Sequence, residues 1–159
     1  MKNKTKYNNW TKLPKWDGNE KIYRLIACDF AESVLHIYEK NYPNDRRPKE
    51  AIQAYRDHAN GIISDAELVA AAAAAWTAAS CVSDLHPGSA RAAVTAARAN
   101  AGDVIVTACD AMAAVRSACM DLIMSESVIV EVADVDAYVL AALDAEEKKQ
   151  YQILKNYLS

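Results

Sequence analysis

Residues 20–43 read EKIYRLIACDFAESVLHIYEKNYP, and this stretch decides the fold. Ile22, Tyr23, Ile26, Phe30, Val34, Ile37 and Tyr38 recur at spacings of three and four, which sets them on one face of a helix. The spacing predicts a helix from Glu20 to Asn41, stopped by Pro43, whose ring cannot continue it. The same punctuation extends outward. All four Gly and all four Pro residues of the chain stand where a helix would begin or end, and the segments between them carry apolar residues at helical spacing.

After this helix, Tyr42-Pro43-Asn44-Asp45-Arg46-Arg47-Pro48 is dense in turn formers. Pro48 suits the first position of a second helix that ends at Asn60-Gly61. Ser64-Asp65-Ala66-Glu67 has the reciprocal S-x-x-E capping pattern, so a third helix follows it through the alanine run to Trp76 and stops before Pro87. Gly88-Ser89 opens a short fourth helix ending near Asn100 and Gly102. Asp103 opens a fifth with Val104, Val106, Met112, Val115, Cys119 and Leu122. Beyond Ser125-Glu126-Ser127 neither Gly nor Pro occurs, which predicts one long sixth helix, or a helix with a break near Asp134 to Asp136. Its start, Val128 to Val132, is β-branched enough that a short strand is the alternative, but an isolated strand would have no partner. Val128 to Leu143 is apolar on nearly all sides, as expected of a central helix or one shared with a second subunit.

Residues 1–19 have no period and read as an extended arm. Tyr7, Trp10, Leu13 and Trp16 recur about every three residues, so the arm is expected to strap apolar surface. The sharper alternative is a lid whose aromatics and lysines stack on a nucleotide-like anion. The expected architecture is all-α: a compact bundle of about six helices forming a single domain over residues 20–159, with the arm in front.

A chain of 159 residues is large enough for one buried core. With 31 alanines and 8% aromatic residues, that core must be built from small side chains. Helices must then approach near the short end of the roughly 8–10 Å range. Each buried alanine contributes little, so good packing or a second subunit has to supply the rest, and a homo-oligomer is expected. The formal charge of −3 is unevenly laid out, with residues 1–21 at +4 and residues 101–159 at −6. A nucleic-acid-binding body would show a basic face on its folded part, so that class is excluded. An acidic surface facing a basic partner remains open. The longest apolar run, Leu68 to Trp76, is too short to span a bilayer. Four separated cysteines with no C-x-x-C, and a basic start that runs into Asn8, Asn9 and Trp10 rather than an apolar stretch, predict a cytoplasmic protein with reduced, mostly buried thiols.

Candidate chemistry centres on the second face of the first helix, where Cys28, Asp29, Glu32, His36 and Glu39 lie within about 100° of one another. Carboxylates beside a histidine are the residue types of general acid–base catalysis. Glu32 and His36 are four apart, however, whereas the helical di-iron pattern is Glu-x-x-His, and no second copy occurs. The expectation is a solvated or salt-bridged face with Arg46, Arg47 or Arg56 as partners, and no metal. His58 and His86 have no sequence neighbour suited to catalysis. No G-x-S-x-G, Cys/His signature or glycine-rich loop occurs, so no catalytic residue and no cofactor are expected. The candidate ligand-binding set is Tyr7, Trp10, Trp16, Asp29, Glu32, His36, Arg46 and Arg47.

Ala27-Cys28-Asp29-Phe30-Ala31-Glu32-Ser33-Val34-Leu35, then Tyr38-Glu39, Tyr42-Pro43, Asp45-Arg46-Arg47-Pro48 and Ala51-Ile52, resemble a bacterial family of small Ala-rich helical immunity proteins. The similarity is strongest over residues 27–60 and returns at Tyr151-Gln152-Ile153-Leu154-Lys155-Asn156-Tyr157-Leu158. The family often has a second cysteine where this chain has Phe30, and the loop here carries Arg46 directly before Arg47. The resemblance implies an all-helical protein that binds and neutralises a cognate toxin without catalysis, and it names no contact residues. Acidic positions in the C-terminal half would then act as steering groups. The alternative is an oligomeric protein that sequesters a small anion such as a nucleotide or signalling molecule, a possible phage counter-defence role. It would use the arm with Arg46 and Arg47.

Overall fold

The Asn19 side-chain carbonyl accepts the Ile22 N–H at 3.3 Å, capping a helix α1 that runs Glu20–Asn41 with the predicted bounds. The computed structural model describes residues 19–82, 109, 111, 113–119 and 132–158. Helix α2 spans Arg47–Ala59 and helix α3 spans Asp65–Val82. Residues 109, 111 and 113–119 are helical, and a C-terminal helix runs Val132–Leu158. Among the described residues every regular element is a helix, as the sequence predicts. The arm over 1–18, the expected fourth helix and the β-branched residues 128–131 lie outside them. Val132, the last of the β-branched run, is helical.

The junctions follow local chemistry. Pro48 sits in the first turn of α2 but second rather than first, because Asp45 opens the helix by accepting the Arg47 N–H at 3.1 Å. At the other end, the Gly61 N–H bonds the His58 carbonyl at 2.9 Å and the Ile62 N–H bonds the Asp57 carbonyl at 2.8 Å. This paired closure needs a left-handed residue, and Gly61 has φ +73°. The capping box also forms: Glu67 N–H points at Ser64 Oγ at 3.4 Å, while Glu67 Oε2 accepts from Ser64 N–H at 2.8 Å.

Helix α1 is the hub. It packs against α2 and against the C-terminal helix, and α2 packs against α3. One apolar cluster joins Ile26, Ala27, Cys28, Phe30, Ala31 and Leu35 of α1 to Ile52 and Tyr55 of α2 and to Leu154. A second joins Val34, Ile37 and Tyr38 to Ala78 of α3 and to Ala111 and Ala114. Alanine at the second contact gives the close approach that the composition requires.

Three expectations are corrected. Cys28, placed by its spacing on the polar face of α1, is buried together with Ala27, Ala31 and Leu35, so the covered arc is wider than the one-face reading. The apolar stretch 128–143 is not central where its side chains are described, since Tyr138 and Leu140 are 50% and 59% exposed, which accords with its other expectation, a helix shared with a second subunit. Finally, Cys28 and Cys119 are buried but Cys81 and Cys109 are exposed; all four are free thiols. No helix among the described residues is long and apolar enough to cross a membrane.

Candidate functional site

The arc that α1 leaves uncovered carries Asp29, Glu32 and His36 at i, i+3 and i+7. Asp29 is half-buried, whereas Glu32 and His36 are exposed. Arg56, near the end of α2, reaches across this arc. Its Nη2 donates to Asp29 Oδ1 at 2.6 Å and to Glu32 Oε2 at 2.5 Å. Tyr157 of the C-terminal helix donates its hydroxyl to Asp29 Oδ2 at 2.9 Å. One carboxylate therefore holds three helices in register. Arg56 is the one of the three candidate arginines that pairs with the helix-one acids.

The electrostatics fit a structural network with an exposed acidic edge. Burial opposes the charge on Arg56, but the hydrogen bonds from Glu32 and Asp29 outweigh it, and its pKa stands above the ordinary guanidinium value. Burial, then the bond to Asp29, pushes the Tyr157 phenol up to about 12. Beneath them, burial pushes the Cys28 thiol up to about 12 despite the nearby Arg56. A thiol held so firmly protonated is a packing group rather than a nucleophile. Among the described residues no group of three or more His, Cys, Asp or Glu side chains could hold a metal ion.

Arg46 and Arg47 serve local pairs instead of joining Asp29 and Glu32. Arg46 lies 3.9 Å from Glu50 and is well exposed. Arg47 grips Asp45 with Nε at 2.9 Å and Nη2 at 2.6 Å, and Tyr38 donates its hydroxyl to the same carboxylate at 2.5 Å. These bonds, that from Arg47 first, hold Asp45 at about 2 against the opposing effect of burial. Burial and the Asp45 bond raise the Tyr38 phenol in turn. Tyr42 stacks on Tyr38 at 5.0 Å and completes the turn. A carboxyl depressed from 3.8 to about 2 stabilises the fold above the higher value and loses that contribution as pH falls through the lower. With Arg47 partly in water, the contribution is about 1 kcal/mol. Wild type should therefore lose about 1 kcal/mol more than Asp45→Asn between pH about 5 and about 2 in urea titrations. Equal losses would show that the pair does not stabilise the fold.

Two groups were missed by the sequence reading. Glu146, counted among the steering acids, is only 6% exposed. Its Oε1 accepts from the Ser33 hydroxyl at 2.7 Å and the Gln150 amide at 3.3 Å, while Lys149 Nζ donates to the Ser33 carbonyl at 2.9 Å. Spacing could have revealed it, since Glu146 and Gln150 continue at i+4 to buried Leu154 on one stripe. His58, read as having no suitable neighbour, sits between Arg24 Nη1 at 2.9 Å and Asp65 Oδ1 at 2.6 Å. No sequence spacing pairs residues from three helices. Tyr7, Trp10 and Trp16 lie outside the described residues.

An Ala-rich helical bundle built around one nearly encircled helix, with a clamped acidic stripe along that helix's open edge, is the class of protein these observations define. The chain belongs to the family described as Imm-5 like putative immunity protein, whose family model matches residues 19–156. The match opens at Asn19, the residue that caps α1. Neither curated proteins nor solved structures give a match.

Proposed function

We propose that the chain binds a cognate toxin and neutralises it by covering the toxin's surface, without catalysis of its own. Membership of an immunity-protein family supports this reading, and the geometry of α1 supports a contact face. Glu32 is clamped at one oxygen by Arg56 yet its side chain is 53% exposed, and His36 stands exposed one turn on. A carboxylate fixed on a rigid helix loses little entropy when a basic partner meets it. Among the described C-terminal acids, Asp144 and Glu147 are the ones partly open to a partner, with Glu146 turned inward. We place the protein in the cytoplasm as a homo-oligomer, with exposed Tyr138 and Leu140 as a subunit surface.

The observation that carries the proposal is the exposed, Arg56-clamped Glu32 on a family scaffold. The test is co-expression with each reading frame that neighbours this gene, scored first for its own toxicity. Rescue by wild type, with binding about ten-fold weaker for Glu32→Ala/His36→Ala (about 1.4 kcal/mol), is the expected result. Undiminished binding by that variant would move the contact face elsewhere. Native mass spectrometry adds the decisive contrast: a small molecule carried through purification, with no rescue of toxicity, would replace this reading with sequestration.

A further inference from the structure

We propose that His58 is an acid-sensitive coupling that ties α1 to the α2–α3 corner when neutral and releases α1 when protonated. The Arg24 guanidinium has only donors, so His58 Nδ1, 2.9 Å from Arg24 Nη1, must present a lone pair. The ring proton is then on Nε2, which donates to Asp65 Oδ1 at 2.6 Å. Only the neutral ring with its hydrogen on Nε2 satisfies both contacts. The His58 side chain is only 17% exposed and its bond to Arg24 is part-buried, whereas Asp65 is 94% exposed and meets Nε2 from the solvent side.

A second proton must go to Nδ1, where it would face an N–H of an arginine. The described charged groups around the ring decide which contact survives. From α3, Asp65 faces Nε2 and gains a charge-assisted bond; Glu67 of the same turn is held by Ser64. From α1, Arg24 is repelled, and Glu20, whose Oε2 lies 3.8 Å from Arg24 Nη2, stands ready to take it. On α2 itself, Arg56 is engaged by Asp29 and Glu32, and Asp57 accepts from the Gln53 amide. A protonated ring in the last turn of α2 also suits the negative end of that helix's dipole. Protonation therefore keeps the bond to α3 and breaks the bond to α1. The inference does not depend on what the chain binds.

Two measurements on the intact chain test it. Imidazole nitrogen shifts at about pH 8 should show Nδ1 unprotonated and Nε2 protonated. On lowering the pH to about 5, amide exchange over Tyr23 to Ala27, corrected for its intrinsic pH dependence, should accelerate several-fold while the first turn of α3 stays protected. Arg24→Met should exchange fast at both pH values with no step. Asp65→Asn should keep the step, which separates release of α1 from general acid loosening. The proposal is overturned if Nδ1 carries the proton at the higher pH, or if wild type and Arg24→Met follow the same pH course.

Discussion

Phe30→Ala should lower stability by about 3–5 kcal/mol, the cost of deleting a large buried aromatic side chain. Phe30 is the chain's only phenylalanine and is 0% exposed, in the cluster where α1 meets α2 and the C-terminal helix. Ala27, Cys28 and Ala31 beside it are too small to fill the void, and Ile52, Tyr55 and Leu154 are each held on other helices, so little of the loss is recovered by collapse. A cysteine side chain fills little more of this site than a methyl group does. The variant Phe30→Cys should fall near the alanine value here, because the compensating volume is missing. Urea midpoints for both variants measure this, and a loss below about 1 kcal/mol would mean that the cluster repacks freely.

Arg56→Met should cost about 2 kcal/mol, less than the roughly 3–5 of a fully buried pair because both partners keep some contact with water. The methionine retains most of the packing volume but leaves Asp29 and Glu32, i and i+3 on one helix, facing each other without a cation. Adding Asp29→Asn should then restore part of the loss. This sign reversal would separate electrostatic frustration from lost contacts. Additive losses in the double variant would show instead that Asp29 and Glu32 do not repel each other once the cation is gone.

Much of the architecture was legible because it rests on local chemistry. The bounds of α1, the Ser64–Glu67 box and the left-handed Gly61 are all fixed by residues within a few positions of one another. The clamp on Asp29 was half legible: the acids and Arg56 could be named as partners, but only the folded chain adds Tyr157. Small side chains were the main obstacle. Ala27, Cys28 and Ala31 are compatible with a covered or an open face, so periodicity could not show that α1 is nearly encircled. For Glu146 the i+4 stripe to Leu154 carried a signal of burial, but its partner Ser33 lies 113 positions away and no spacing names it.

That separation has a consequence for how the molecule is assembled. The contacts among α1, α2 and α3 lie within residues 20–82, whereas the bonds from Asp29 to Tyr157 and from Ser33 to Glu146 close loops of 128 and 113 residues. Local contacts form cheaply and distant ones late, so a chain emerging from the ribosome should build a three-helix nucleus first and seat the last helix only after a long wait. Pulse-labelled exchange should find Ile52 and Tyr55 amides protected before that of Leu154; simultaneous protection would make docking concerted. In the interval the flank of α1 around Phe30 lies bare. A newborn molecule is then stickiest at the same seam that later gives it strength.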